Sequence, residues 1–162
     1  MSSILKDKHP IPTIKNEALR EKVFTHKSAT GATAGLAVDQ EPALHNERLA
    51  LLGDAVTNLL VTSVVEFNRP LSRVGDISSK RAELVSRGRV ALWADAYELP
   101  QRLIVHPAQA ALIPRNESAR VQVFQAYVGA LYKDQGLNVV EEWFGPVLED
   151  ALNEIEARER SQ

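Results

Sequence analysis

Cysteine is absent from the 162-residue sequence. Disulfides and thiolate metal sites are therefore excluded, which fits a protein of a reducing intracellular compartment. No uninterrupted apolar run approaches the roughly 20 residues that span a bilayer, so no membrane partner is expected. The opening stretch MSSILKDKHPIPTIK lacks the apolar core of a secretory signal, and it carries an acid and no arginine, unlike a mitochondrial presequence. The expected location is cytoplasmic, with a mitochondrial one left open if a presequence has been removed. A large excess of either charge is missing too. A net charge of −2 and a pI of about 6.1 give no global pull towards nucleic acid. There are no repeats, no low-complexity tracts and no stretch with the alternation of a half-buried strand.

What is present is an ordinary globular composition, 44% apolar and 25% charged, on a chain long enough for one domain with a real core. Charge is unevenly spread along it. Between residues 69 and 89 stand six basic side chains, Arg69, Arg73, Lys80, Arg81, Arg87 and Arg89, against Asp76 and Glu83. From residue 141 to 160 there are seven acids against two arginines. The basic segment suits a phosphate track. The plainer reading is a solvated helix face followed by an acidic C-terminal helix.

The pattern predicts an all-α domain over residues 16–162, preceded by an arm, 1–15, extended around Pro10 and Pro12. A short helix follows Asn16 as cap, with Leu19, Val23 and Phe24 on one side. Residues 28–45 are small and turn-rich and read as a loop. A long apolar helix runs from about Glu47 to Phe67 and stops before Pro70. The next helix is capped at Asp76 or Ser78 and interrupted at Gly88. Pro100, Pro107 and Pro114 bracket a connection. A strong helix then runs from the Asn116 cap to the Gly136 stop, and a last one begins near Asn138, with a kink at Gly145-Pro146.

Within HNERLALLGDAV, residues 45–56, Glu47 and Asp54 stand seven apart, two helical turns, so both carboxylates share one face. Two acids on a greasy stripe suggest half of a metal site, but the position between them on that face is Ala50.

NERLALLGD at 46–54 resembles the ribonuclease III signature N-E-R-L-E-F-L-G-D. THKSA at 25–29, GDISSKRAELVS at 75–86 and ESARVQVFQAYVGALYKDQGL at 117–137 are similar to three further segments of that family, in the family's order. The resemblance implies a helical endonuclease domain that pairs as a symmetric homodimer through the signature helix. Leu49, Leu51 and Leu52 would then lie at the interface, with Leu51 in place of an aromatic knob; the alternative is that they belong to an intramolecular core. It also implies hydrolysis of double-stranded RNA with a divalent metal activating water. The four principal metal carboxylates fall on Ala50, Asp54, Gln122 and Gln125, and only Asp54 is an acid. Glu47 matches a further acidic position, and Val74 stands where another glutamate is common.

Three readings follow. The first is a module that recognises double-stranded RNA, with phosphate contacts from the six basic residues and ordinary magnesium-dependent cleavage lost or much reduced. The second is an active endoribonuclease with a non-standard site drawn from Glu47, Asp54, Asp76 and Glu117. His26 or His45 would then add an imidazole, which favours manganese over magnesium. The bland reading places His26 buried and hydrogen-bonded at a helix end and His45 exposed in a loop or beside an N-cap, with Asp54 and Glu47 as buried acids paired to a basic residue such as Arg48 or Lys80. A home for the first reading is a ribonucleoprotein such as a mitochondrial ribosome, in which the module would be structural. The third reading is a structural homodimer with no RNA contact at all. The sequence stops about where the family's separate RNA-binding domain would begin, so any RNA affinity is expected from this domain alone.

Overall fold

Glycine faces glycine where the two organising helices cross. The computed structural model describes residues 2–30 and 44–161. Its helices are α1 (Ser2–Lys8), α2 (Glu17–Phe24), α3 (Lys27–Thr30), α4 (Glu47–Asn68), α5 (Val74–Leu84), α6 (Arg87–Ala96), α7 (Glu117–Gln135) and α8 (Leu137–Glu159). Among the described residues, the only β pairing is an isolated bridge between Thr25 and Ile104. The connection from α6 to α7 is taken up by three short 3-10 turns, each with a proline in its first two positions. That placement suits proline, because those positions have no intrahelical use for an N–H.

α7 is the central element. Val121, Val123, Phe124, Ala126, Val128, Ala130 and Leu131 are all buried, so it is enclosed on most of its circumference. It begins where Asn116 Oδ1 accepts from the Ala119 amide and ends at Gly136, whose φ of 87° suits a residue without a Cβ. α4 lies across it, burying Leu49, Val56, Leu60, Val61 and Val65 while Leu51 and Phe67 stand open. By length and composition α4 would in fact suffice to cross a membrane, contrary to the expectation from uninterrupted runs. A core helix passes the same test, and 44% of its most apolar window is buried inside this domain.

The few aromatic residues are concentrated where α6, α7 and α8 meet. Trp93 stacks edge-on against Phe144 at 5.0 Å and tilts against Phe124 at 5.7 Å. Trp143 Nε1 donates to the Tyr97 hydroxyl, which donates to the His9 carbonyl. Burial pushes the Tyr97 phenol up to about 12, so it serves as a neutral hydrogen-bonding group.

Several boundaries differ from expectation for local reasons. The N-terminal arm carries the helix α1 before its extended part, and that part is tied down. Ile14 is fully buried, Tyr127 donates to the Pro12 carbonyl at 2.7 Å, and Asp134 accepts from the Lys15 amide at 2.6 Å. α5 starts after Arg73, which places Asp76 in its first turn rather than at the cap. The break before α6 falls at Val85–Ser86. Ser86 caps the new helix, and Gly88 is simply in its first turn. α8 is continuous through Pro146. Most of the predicted 28–45 loop lies outside the described residues.

Candidate functional site

The α4–α7 crossing sets the geometry of the site. A Cβ on Gly53 would lie 1.7 Å from the Gln125 carbonyl oxygen, and one on Gly129 would lie 2.1 Å from the Leu49 carbonyl oxygen. The two backbones are therefore in contact, and only glycine permits it. This approach brings the residue after Gly53 against the residue one turn before Gly129: Gln125 Nε2 donates to Asp54 Oδ1 at 2.7 Å. A carboxylate only accepts, so the amide must turn its NH2 to Asp54.

A second amide pair sits at the start of α4. Asn46 is 1% exposed. Its Nδ2 donates to the Val23 carbonyl at 3.1 Å, and its backbone amide donates to the Thr25 carbonyl at 3.0 Å. Its Oδ1 therefore faces α7 and accepts from Gln122 Nε2 at 3.0 Å. Asn46 thus pins the end of α2, the start of α4 and the middle of α7. Ala50, between the two pairs, is 6% exposed and part of the core.

Glu47 turns the other way. Lys27 Nζ lies 3.0 Å from its Oε1, and that hydrogen bond holds the Glu47 carboxyl below its usual range. His45 Nδ1 is 3.9 Å from the same carboxylate and is 6% exposed, so it is buried rather than an open loop residue. His26 is half-buried, as expected, and its Nδ1 takes the Ser28 backbone amide at 3.1 Å. Burial, and then the charge of Lys27, lower its pKa, which favours the neutral imidazole. His26, Lys27, Ser28 and His45 open on a cleft of about 790 Å³ that runs under the start of α7. Of the other acids considered, Glu117 is paired with Arg87 at 3.3 Å and Asp76 is exposed on α5. Among the described residues, no three of His, Asp and Glu gather in metal-binding geometry.

The set does not fit a hard divalent ion. Among Ala50, Asp54, Gln122 and Gln125 only Asp54 is an acid, and the Gln125 amide donates to it where a cation would need lone pairs. An ammonium already neutralises Glu47.

The basic segment is similarly occupied. Arg69 is bonded by both arms of its guanidinium to Glu156, Lys80 reaches Glu159 at 2.6 Å, and Arg89 reaches Glu154 at 3.0 Å. Arg158 runs the other way, to Glu83. The acidic run of α8 therefore neutralises three of the six basic residues, and Lys80 pairs there rather than with Asp54. Arg73 and Arg81 are exposed and in no ion pair among the described residues. Leu49, assigned to an interface, is 4% exposed within a single chain, whereas Leu51 is 76% exposed.

Sequence reading gave no role to Asn46, Gly53 or Gly129. All three lie in the quoted motifs, and their polar or missing side chains in apolar helices were the available signal.

This arrangement of helices recurs in solved nuclease domains of ribonuclease III. The nuclease domain of ribonuclease III from Campylobacter jejuni superposes with a TM-score of 0.74, covering 90% of this chain and 94% of that one at 24% identity, which is evidence of fold. A profile described as Ribonuclease-III-like matches residues 16–151. Ribonuclease 3 of Chlorobium chlorochromatii is 36% identical over 124 residues, 76% of this chain and 48% of that protein. The double-strand-specific pac1 ribonuclease of Schizosaccharomyces pombe is 28% identical over 149 residues, 90% of this chain and 41% of that protein. The chain belongs to the ribonuclease III-like family, and it spans about half the length of the curated relatives it matches.

Proposed function

We propose that this domain recognises double-stranded RNA as a homodimer, and that ordinary magnesium-dependent cleavage is lost or much reduced. The carrying observation is the Gln125–Asp54 hydrogen bond at 2.7 Å. At the one family position that keeps its carboxylate, an amide donor holds the place of a metal ion. Lys27 does the same for Glu47 with a full positive charge. Family membership supports duplex RNA as the ligand, as does the double-strand specificity of the pac1 relative. The dimer is supported by Leu51, Ala55 and Leu59, an exposed apolar row at one-turn spacing on α4. The Campylobacter jejuni nuclease domain has a region involved in dimer formation, which supports pairing of the same fold here. Arg73 and Arg81 are the basic residues best placed to meet phosphate.

A second reading retains cleavage. It is favoured by the exposure of Asp54, which leaves it open to acids from a partner subunit and to a manganese or magnesium ion held between them.

One experiment separates the two. Purified protein is mixed with a long RNA duplex in magnesium, manganese or chelator, beside Asp54→Asn. A salt-sensitive gel shift without cleavage is the expected result. Metal-dependent cleavage that disappears in Asp54→Asn would establish the second reading instead.

A further inference from the structure

We infer that the cleft between α3 and the start of α7 binds a single nucleoside phosphate. At about 790 Å³ it has the size of a small-molecule pocket, far beyond that of an ion. Its lining joins two chemistries. The turn into α3 contributes His26, Lys27 and Ser28, and the segment leading into α7 contributes Leu112, Ile113 and Ala119. Gln109, Asn116 and Gln122 add amides.

The first group suits a phosphate. Ser28's backbone N–H donates to His26 Nδ1, so the proton of the neutral ring resides on Nε2 and is available to donate. Lys27 commits one hydrogen to Glu47 and has two more. Ser118 also lines the cleft, and Arg87 holds its hydroxyl at 2.6 Å, which puts a guanidinium at the rim. The second group suits a base. Leu112 and Ile113 give the cleft an apolar wall against which a flat ring can lie. Amides beside an apolar wall are the groups that read the edges of an unpaired base. Gln122 commits its NH2 to Asn46, which leaves its carbonyl oxygen as the acceptor.

The nucleotide is either free or the unpaired end of an RNA strand; both present the same chemistry. This inference goes beyond duplex recognition and stands without it, because a duplex keeps its bases stacked and paired.

The test uses the ring protons of the chain's four histidines, two of which line the cleft. The full chain is titrated separately with AMP, GMP, CMP, UMP and inorganic phosphate. Saturable shifts of His26 and His45 are expected, with His9, paired to Asp150, unmoved. At least one nucleotide should bind about tenfold more tightly than phosphate. Lys27→Gln and Leu112→Asp, both at exposed positions, should each weaken it about tenfold while His9 keeps its native resonance. No shift at millimolar nucleotide, or equal binding of phosphate, would overturn the inference. A duplex with one unpaired 3′ nucleotide, compared with a blunt duplex, tells an RNA end from a free nucleotide. Blunt-duplex gel shifts test the proposed function separately, so either reading fails alone.

Discussion

At the α4–α7 crossing two backbones touch through Gly53 and Gly129, whereas along α8 the neighbouring helices are joined by the tips of long charged side chains. Both arrangements fix helix positions, by opposite physics. Backbone contact between packed helices leaves no room to relax and does not depend on salt or pH. An exposed ion pair is weakened by salt, contributes little individually, and can exchange partners. The site is built on the first kind of contact and flanked by the second. That difference explains how the geometry around Asp54 is held with no second carboxylate at Ala50, Gln122 or Gln125. Asp54 meets Gln125 because of the glycines, not because of its charge.

The comparison breaks most decisively at the crossing itself. Gly53→Ala places a methyl 1.7 Å from a carbonyl oxygen that is itself part of a helix. Gly129→Ala does the same at 2.1 Å. Neither neighbour is a flexible side chain, so the helices must separate. The expected loss is about 3 kcal/mol or more for each, read as a fall in the urea midpoint or as insoluble protein. Unfolding curves that match the parent would mean the helices are not in contact there.

A change of charge that leaves this contact alone should be tolerated. Ala50→Glu, Gln122→Asp and Gln125→Glu together restore the family's carboxylates at preserved spacing. The variant should be less stable than the parent in chelator and gain about 5 °C in Tm with millimolar magnesium, against no gain for the parent. Metal-dependent cleavage of duplex RNA should appear or rise strongly. A folded triple variant that ignores magnesium in both assays would show that these positions do not form one site.

The same division between short-range and long-range causes decides what was legible in the sequence. The caps at Asn16 and Asn116 were readable because each rests on a side chain meeting a backbone three residues on, and the stop at Gly136 because its own positive φ suits glycine. That Ala50, Gln122 and Gln125 stand where the family resemblance implies acids came from the motifs. Helical spacing added only that Glu47, Ala50 and Asp54 share one face, as do Gln122 and Gln125. Which way those amides turn was not readable, since Gln122 is oriented by Asn46, which is oriented in turn by the end of α2. The basic segment looked like a phosphate track because its counter-charges are remote in sequence: those of Arg69, Lys80 and Arg89 lie more than 60 residues away on α8, and that of Arg87 lies on α7. His45 stands beside the Asn46 cap of α4, one of the two places expected for it, and its burial is not marked by any periodicity in the turn-rich stretch before it. The glycine pair was visible as two residues and unreadable as a contact.

The neutralised flank gives a finer test of the RNA reading. Arg73 and Arg81 should carry the phosphate contacts, while Lys80 and Arg89 are held by Glu159 and Glu154. Arg73→Gln with Arg81→Gln should therefore flatten the dependence of log K on log salt by about 2, one for each lost contact. Lys80→Gln with Arg89→Gln should change that slope far less. Equal effects from the two pairs would mean that α8 releases its partners when RNA binds, and the basic segment would then act as a whole.

The smallest effect concerns pH and stability on the same flank. Arg69 holds the Glu156 carboxyl below its ordinary value of 4.5 by hydrogen bonding, and Lys8 and His9 hold Asp150 below 3.8 in the same way. A carboxyl depressed in the folded state stabilises it fully above the unfolded pKa, and the contribution fades as pH falls through the folded one. Glu156→Gln should accordingly cost about 1 kcal/mol at pH 7 and progressively less below pH 4.5, with the two proteins converging in acid. Salt should narrow the gap at neutral pH as well, which the glycine variants will not show. A difference between parent and variant that persists unchanged into acid would locate the effect in the packing of the Glu156 side chain, and the α8 flank would then resemble the crossing more than its charges suggest.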